Sequence, residues 1–238
     1  MPSPSPASPH VLPPRAAPAA HGGGDEAGVL RAQALGCRRG QRRLFTGFEL
    51  RLAPGQALWL RGPNGCGKTS LLRILAGLAH PAEGAAHFGG VPVHRLSPPA
   101  RGRLRFVGHA NGLKAELRVA EALGVLAALD ADPGSPALPP ERLAQALADA
   151  GLSGRAQAVV GTLSQGQRRK VALARLWLDE QPRTWLLDEP LDALDADGVA
   201  RFERWIEAHT ARGGAVLMTS HTALPRLALD ELHLGVAA

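Results

Sequence analysis

Residues 62–69 read Gly62-Pro63-Asn64-Gly65-Cys66-Gly67-Lys68-Thr69, and this is the most specific segment of the chain. It fits the pattern G-x-x-x-x-G-K-[ST], in which glycines let successive backbone N–H groups turn towards one anion. The apolar segment Ala57–Leu60 precedes it, and Lys68–Leu78 follows with helical spacing of apolar residues. A helix that begins at such a loop directs its positive dipole end at the same anion. The segment therefore predicts a phosphate-binding loop between a strand and a helix.

The residues of this loop have distinct expected roles. We expect Lys68 to reach the β- and γ-phosphates of a nucleotide and Thr69 to hold Mg²⁺. The eight loop residues and Ser70 are the candidate nucleotide contacts, although Ser70 can equally well just continue the helix. A glycine-rich turn that matches by chance is disfavoured, because strand, loop, lysine and helix all coincide. The loop alone is compatible with kinases, GTPases and motor ATPases.

The rest of the chain indicates an α/β domain. Its 238 residues are 45% hydrophobic, which is enough for one sizeable core. Strands are predicted at Val29–Leu35, Phe45–Leu52, Ala57–Leu60, Leu104–Gly108, Thr184–Leu187 and Ala215–Thr219. Helices are predicted at Lys68–Leu78, Gln165–Asp179 and Gly198–Arg212, with a helical insertion at Arg118–Gly154 that breaks at Asp132–Pro140. Strands that alternate with helices favour a largely parallel sheet. Residues 1–27 are rich in Pro, Ala, Ser and Gly, so we predict a disordered leader before a domain at 28–238.

Charge, hydropathy and cysteines narrow the class of protein. The net charge of +6 is compatible with nucleic acid, anionic lipid or a nucleotide as a partner. Because no dense basic cluster accompanies it, a compositional bias towards arginine explains the charge better. No run of about 18 apolar residues and no secretory signal pattern appear, so the expected location is the cytoplasm. The two cysteines, Cys37 and Cys66, do not make a disulfide framework.

A second candidate anion site reads Leu163-Ser164-Gln165-Gly166-Gln167 and leads into a cationic helix. A serine hydroxyl and a small glycine at a helix N-terminus can approach a phosphate closely. An ordinary polar helix cap is the alternative. The segment resembles the L-S-G-G-Q signature of the ATP-binding-cassette (ABC) family, with Gln165 in place of the first glycine. The resemblance implies that Ser164, Gly166 and Gln167 contact ATP held by a second subunit, in a head-to-tail homodimer that encloses two ATP molecules.

Two carboxylates follow a predicted buried strand in Trp185-Leu186-Leu187-Asp188-Glu189-Pro190. The carboxyl edge of a parallel sheet is where α/β proteins bind ligands. In the ABC family, Asp188 resembles the carboxylate that holds Mg²⁺ through water, and Glu189 resembles the base that activates the attacking water. His221, after the next strand, resembles the switch histidine that contacts the γ-phosphate. Asp195 is expected either to aid communication across the dimer or to cap the following helix.

Besides Gln165, the chain departs from the common ABC pattern at three places. His109 occupies the position of a glutamine that contacts Mg²⁺ or the attacking water; a neutral imidazole can still ligate or donate, with a different reach. Asp192 replaces a serine in the segment before Asp195. The chain has no tyrosine, and the region that usually stacks an aromatic ring on adenine reads Leu35-Gly36-Cys37-Arg38-Arg39. Adenine is then expected to pack on arginine stems or near Cys37.

These departures resemble one ABC subfamily, the haem-exporter ATPases of cytochrome c maturation. The similar segments are Gly108-His109, Gly112-Leu113-Lys114-Ala115-Glu116-Leu117 and Ala174-Arg175-Leu176-Trp177-Leu178. The resemblance covers roughly Val29 to Leu229. It implies a P-loop NTPase core with an antiparallel β-subdomain and a helical subdomain at roughly 110–180. It also implies an ATPase that uses ATP and Mg²⁺ and whose catalytic residues are Lys68, His109, Glu189 and His221.

The same resemblance implies partners and a location. We expect integral membrane transporter subunits as partners, and a peripheral position at the cytoplasmic face of the inner membrane. No direct nucleic-acid contact is expected. No direct haem site is expected either, because the sequence has nine histidines but no C-x-x-C-H motif and no paired histidines.

Three alternative functions are weaker. The motor of another small exporter is disfavoured by His109 and by Leu176-Trp177-Leu178. A DNA-repair or chromosome-organising ABC ATPase carries long coiled coils or extra domains between the phosphate loop and the signature, and Leu78–Leu163 is too short for these. A pure haem-binding module lacks a recognisable ligand pattern.

Overall fold

A computed structural model describes residues 26–131, 134–178 and 181–235 of the chain. The strands are β1 Leu30–Arg39, β2 Arg42–Leu52, β3 Ala57–Arg61, β4 Glu83–Phe88, β5 Val91–Pro92, β6 Leu104–Val107, β7 Thr184–Leu187, β8 Ala215–Thr219 and β9 Asp230–His233. The helices are α1 Lys68–Leu75, α2 Pro98–Gly102, α3 Val119–Asp130, α4 Pro140–Asp149, α5 Gln165–Trp177 and α6 Ala196–Ala211. None of the helices in these ranges is both long and apolar enough to cross a bilayer.

The strands form two sheets with different connectivity. The first has the order β2-β1-β4-β5 and is antiparallel throughout. The second has the order β6-β7-β8-β3-β9 and is parallel. The parallel sheet brings the carboxyl ends of β3, β6, β7 and β8 to one edge, where the loops that follow them meet.

The burial pattern explains why the two sheets differ. Along β2, Phe48, Leu50 and Leu52 point into the core, and Glu49 and Arg51 between them face solvent. This alternation is typical of an antiparallel sheet with one wet face. All four residues of β7 are buried, as expected for a central parallel strand that is covered on both faces.

Two apolar clusters lie on opposite faces of the parallel sheet. Leu186 and Leu217 pack into a cluster shared with α1 and the antiparallel sheet. Trp185, Val216 and Met218 pack into a second cluster that also includes side chains of α3, α5 and α6. The sheet is therefore the shared wall between the antiparallel part and the helical part of the molecule.

The predicted α/β class and the order of the main elements are confirmed, and several boundaries differ. The helix that follows the phosphate loop ends at Leu75 instead of Leu78. Gly77 adopts φ 70°, and the N–H of Leu78 donates to the carbonyl of Arg73 at 2.8 Å, which closes the helix. The last helix begins at Ala196 instead of Gly198 because Asp195 caps it.

Four elements lie where the sequence predicted none: β4, β5, α2 and β9. Residues 1–25 of the predicted leader lie outside the described residues, as do Asp132 in the predicted break and Asp179 at a predicted helix end. Glu26 already contacts the domain, because its carboxylate pairs with Arg31 at 2.7 Å.

Candidate functional site

The phosphate loop (residues 62–69) lies between β3 and α1, as the sequence predicted. Gly67 adopts φ 110°, and a Cβ atom there would lie 3.0 Å from the Phe45 ring and 3.1 Å from Leu44 Cβ. Only glycine satisfies both constraints. The Lys68 ammonium donates to the carbonyls of Gly62 at 2.8 Å and Pro63 at 3.2 Å, so the lysine arches over its own loop.

A cavity of about 470 Å³ opens in front of this loop. The predicted phosphate-loop contacts that line it are Asn64, Gly65, Gly67, Lys68, Thr69 and Ser70. The predicted residues that line it from the neighbouring loops are His109, Asp188, Glu189 and His221. Gly62 and Pro63 instead support Lys68 through their carbonyls, and Cys66 is buried inside the loop. The structure thus brings residues from four separate segments to one cavity.

Asp188 is held at the centre of the site by two threonines. One carboxylate oxygen accepts from the Thr69 hydroxyl at 2.8 Å, and the other accepts from the Thr219 hydroxyl at 3.2 Å. The Thr219 hydroxyl also accepts the backbone N–H of Glu189 at 2.8 Å. Sequence reasoning missed this role of Thr219. Strand register is the signal, because the pairing of Leu187 with Met218 makes Asp188 and Thr219 neighbours.

Glu189 has an unusual backbone and a fixed side chain. Its φ is 49°, a conformation that non-glycine residues rarely adopt. One carboxylate oxygen accepts the backbone N–H of His221 at 3.1 Å, and the other lies 3.5 Å from Nε2 of His221. The Glu189 side chain is only 14% exposed, whereas that of His221 is 60% exposed. The arrangement places a largely desolvated carboxylate on the wall of the cavity.

His109 and Asp192, two departures from the common ABC pattern, contact each other. Nδ1 of His109 lies 3.2 Å from a carboxylate oxygen of Asp192, and both side chains are exposed. The loop after β6 (residues 108–112, the histidine loop) therefore meets the loop after β7 (residues 188–192, the carboxylate loop). Asp192 thus contacts Nδ1 of the imidazole and leaves Nε2 for other contacts.

Arg169 is a second residue that sequence reasoning missed. Its guanidinium is buried and donates to backbone carbonyls of both the histidine loop and the carboxylate loop. Burial lowers its pKa, an effect opposed mainly by Asp192 and Asp188. Helical spacing is the sequence signal for the burial of Arg169. Ala172, Leu173 and Leu176, which lie three, four and seven residues later on α5, are all buried. An arginine in line with such a stripe is directed into the protein.

The signature segment forms the start of α5. The Ser164 hydroxyl accepts the N–H of Gln167 at 3.2 Å, and the Gln167 side chain accepts the N–H of Ser164 at 3.0 Å. A Cβ atom on Gly166 would lie 2.4 Å from the carbonyl oxygen of Ala193, so this close approach requires glycine. None of these three residues lines the cavity in front of the phosphate loop. The helix-cap interpretation therefore holds within the chain, and the Ser164 residue remains exposed at the surface.

The Asp195 side chain performs the capping role that was one of its two expected functions. It accepts the N–H of Gly198 at 2.9 Å and pairs with Lys170 at 2.9 Å. The Lys170 hydrogen bond, followed by that of the Gly198 N–H, lowers the pKa of Asp195.

The tip of the β1–β2 hairpin forms the remaining wall of the cavity. Arg39, Arg42 and Leu44 line it. Cys37, on the same hairpin, is buried and does not line the cavity. Burial raises the pKa of the Cys37 thiol, and a hydrogen bond with Ser70 partly opposes the shift.

Residues 45–192 match the protein family described as ABC transporter. The chain belongs to the ABC transporter family. A cytochrome c biogenesis ATP-binding export protein CcmA from Pseudomonas fluorescens (strain Pf0-1) is 46% identical to this ABC protein over 201 residues, which cover 84% of this chain and 92% of the relative. The predicted ABC membership is therefore confirmed, and with it the activity of an ABC-type ATPase.

Solved structures agree on the fold of this ABC protein. An ABC transporter ATP-binding protein from Pyrococcus furiosus superposes with a TM-score of 0.74 at 23% identity, covering 87% of this chain and 97% of that one. A dimeric ATP-binding cassette in a post-hydrolysis state, bound to ADP and Pi, superposes with a TM-score of 0.70 at 21% identity, covering 81% of this chain and 88% of that one. At these identities the likeness concerns the fold.

Proposed function

We propose that this ABC protein is the ATP-hydrolysing subunit of a membrane exporter in cytochrome c maturation, which drives haem export or the release of a haem-loaded chaperone. One observation carries the ATPase part: the phosphate loop, Asp188 and Glu189 converge on a single cavity. The identity of 46% to a cytochrome c biogenesis export protein supports the process.

In the proposed site, the phosphate loop binds the triphosphate of ATP. The backbone N–H groups of the loop and the start of α1 face the anion. Lys68 exchanges its carbonyl partners for the β- and γ-phosphates, which are better acceptors because they carry charge. The glycines allow the backbone to approach the phosphates without a side chain between them.

The oxygen atoms beside the phosphate loop fit Mg²⁺. The Thr69 hydroxyl and one Asp188 carboxylate oxygen lie 2.8 Å apart at the cavity wall. Mg²⁺ prefers oxygen ligands and usually takes one or two from the protein, with waters and substrate phosphates supplying the rest. The remaining ligands of the proposed site would therefore come from the nucleotide and water. When bound, the ion neutralises charge on the β- and γ-phosphates.

Glu189 is the proposed general base. Its carboxylate lies on the cavity wall, is largely desolvated, and is oriented by the N–H of His221. A carboxylate in this position accepts a hydrogen bond from the attacking water and orients it in line with the γ-phosphate. The exposed His221 imidazole is free to contact the γ-phosphate, and His109, which also lines the cavity, would contact the water or the metal through Nε2. Catalysis then consists mainly of positioning and charge neutralisation.

The second half of the proposed site comes from a partner copy. Ser164, Gly166 and Gln167 do not line the cavity of their own chain, but they present a hydroxyl and N–H groups at a helix N-terminus. A head-to-tail homodimer brings this terminus to the γ-phosphate bound by the other copy. The dimeric state of one solved neighbour of the same fold supports this arrangement. Integral membrane subunits complete the proposed exporter and hold the chain at the cytoplasmic face of the inner membrane.

The adenine base is proposed to stack on guanidinium groups. Of the two regions expected from the sequence, the arginine region lines the cavity through Arg39 and Arg42, whereas Cys37 is buried and does not line it. A planar guanidinium stacks on a base without reading its edge. The expected result is weak discrimination between ATP and GTP. Replacing Arg39 and Arg42 together with lysine should weaken binding of both nucleotides about equally, as measured by titration; a selective loss of ATP would contradict the stacking.

The test of the function is Glu189→Gln in a strain that makes c-type cytochromes. The variant should bind ATP, hydrolyse it on the order of 10³-fold more slowly, and lower the amount of covalent haem in those cytochromes. Glu207→Gln, an exposed glutamate on α6, is the matched control and should leave both unchanged. If the variant is deficient in hydrolysis but the amount of holocytochrome c is normal, the proposed role in cytochrome c maturation is wrong. The assignment of the chain as an ATPase would still stand.

A further inference from the structure

Arg169 lies five positions after Ser164, on the face of α5 that is directed into the protein. It is 2% exposed, which is rare for a cation. Its position is between the histidine loop and the carboxylate loop, both of which line the nucleotide cavity.

The guanidinium of Arg169 contacts three consecutive carbonyls of the carboxylate loop. Nη2 donates to Asp188 at 3.0 Å and to Glu189 at 2.8 Å, and Nε donates to Pro190 at 3.2 Å. These carbonyls frame the residue whose φ is 49°. A backbone in this region persists only where its surroundings hold it, at a cost of about 1–3 kcal/mol.

The remaining nitrogen of Arg169 contacts the histidine loop. Nη1 donates to the Gly108 carbonyl at 2.9 Å, to the Asn111 side-chain oxygen at 3.2 Å and to the His109 carbonyl at 3.5 Å. One rigid side chain therefore spans two loops that are far apart in the sequence. A planar fork of donors on a rigid frame is suited to this geometry, and a single ammonium group is not.

The cost of burying this cation indicates that the contacts matter. Removing a guanidinium from water is unfavourable unless its donors are satisfied. Here the acceptors are five backbone carbonyls and one amide oxygen. A residue needed only to fill the space under α5 has no reason to be charged, whereas a residue that fixes two backbone segments does.

We propose that Arg169 is a positioning residue for ATP hydrolysis. It holds Glu189 in its strained backbone conformation, and it ties the histidine loop and the carboxylate loop to the signature helix α5. Docking of Ser164 on a partner's nucleotide is thereby transmitted through one helix to the general base. The inference rests on the proposed role of Glu189 as that base.

The first variant is Arg169→Lys in the full chain with its dimer partner. Lysine keeps the charge but cannot span both loops, so kcat should fall by about 10- to 100-fold, the range expected when a reacting group is misplaced by about 1 Å. The Kd and KM for ATP should stay within about twofold, because the phosphate loop is untouched. Arg204→Lys, an exposed arginine on α6, is the matched control and should leave kcat unchanged.

A positioning role is distinguished from a folding role by two further measurements. We expect both Arg169→Lys and Glu189→Gln to accumulate as ATP-bound dimers because hydrolysis is slow, whereas a misfolded chain would bind less ATP and dimerise less. In single-turnover assays, Arg169→Lys should slow the residual hydrolysis of the Glu189→Gln protein by less than about twofold, because the two residues act through the same group.

A second variant covers the case in which the buried substitution disturbs folding. Asn111→Ala removes one acceptor and leaves the cation in place, and it should lower kcat by about threefold with unchanged ATP binding. Unchanged kcat in a folded Arg169→Lys protein would overturn the positioning role, as would additive losses with Glu189→Gln. Full activity of Glu189→Gln alone would instead overturn the general base, so the two failures are distinct.

Discussion

The phosphate loop and the carboxylate loop line the same cavity, but they are held in place differently. The phosphate loop is stabilised from within: glycines set its backbone, and Lys68 hydrogen-bonds to carbonyls five and six residues away. The carboxylate loop is held from outside, by Arg169 about 20 positions away in sequence and by Thr219 about 30 positions away. The first is a local structure, and the second is a product of tertiary packing.

This difference separates two functions of the site. Changes in the phosphate loop should act on the affinity for ATP, because its atoms face the phosphates. Changes around the carboxylate loop should act on kcat, because its atoms place the base and the metal ligand. A mutation that violates this division would show that the two loops are coupled more strongly than the Thr69–Asp188 hydrogen bond between them implies.

The largest expected effect is that of Lys68→Ala. The Kd for ATP should rise by on the order of 10²-fold or more, because hydrogen bonds from a charged donor contribute about 1.5–3 kcal/mol each and the lysine reaches two phosphates. Equilibrium binding of a labelled ATP analogue measures this. Near-normal affinity would mean that the loop does not bind phosphate.

Gly67→Ala should have the next largest effect. The new Cβ atom would lie 3.0 Å from Phe45 at a backbone φ of 110°, so the loop must shift. Affinity for ATP should fall by about 10- to 100-fold, the equivalent of about 1–3 kcal/mol of strain. Gly213→Ala is the control, because φ there is 85° with open space around it and no part in the cavity. Equal losses of affinity in both variants would point to general destabilisation.

Thr219→Val tests the carboxylate loop, which the comparison assigns to kcat. The change removes the hydroxyl that joins Asp188 to the Glu189 N–H, in a residue with no exposed surface. Because a buried N–H left without a partner costs about 1–3 kcal/mol, kcat should fall by about tenfold with ATP affinity retained. Steady-state and binding assays together measure this. A rise in Kd without a change in kcat would break the division between the two loops.

Asp192→Ser should have the smallest effect. It removes the contact with His109 at 3.2 Å and restores the residue that the common ABC pattern carries. Exposed pairs of this kind contribute about 0.2–1 kcal/mol, so kcat should change by no more than about threefold. The double variant His109→Gln, Asp192→Ser should have the same ATPase rate as the single variant His109→Gln. Both lack the His109 imidazole, so the contact between His109 and Asp192 is absent from both.

The sequence predicted what is local and missed what is not. The glycines, Lys68 and Thr69 lie in one continuous motif, so their juxtaposition could be predicted without a fold. Asp188 and Glu189 could be placed at a sheet edge because the three residues before them, Trp185-Leu186-Leu187, are apolar. The resemblance to the ABC family added His109 and His221, which no local pattern identifies.

Arg169, Thr219 and β9 required the three-dimensional structure. Arg169 lies between Arg168 and Lys170, and a run of cations is typical of the solvent-exposed face of a helix. Only its alignment with Ala172 and Leu176 along α5 indicates that it is buried. Thr219 gains its role from strand register. β9 carries Asp, Glu and His in its four residues, which no strand propensity favours, and its pairing with β3 stabilises it.

The position of β3 in the parallel sheet has a consequence for biosynthesis. β3 lies between β8 and β9, so the strand that presents the phosphate loop emerges from the ribosome long before either of its neighbours, Ala215–Thr219 and Asp230–His233. At about 5–20 residues per second, ribosomes need about 10 to 30 s to make the intervening chain. During that interval Leu60, fully buried in the finished protein, has no strand beside it. The central sheet therefore closes only after Asp230–His233 has been synthesised, and a chain truncated before Asp230 cannot complete it.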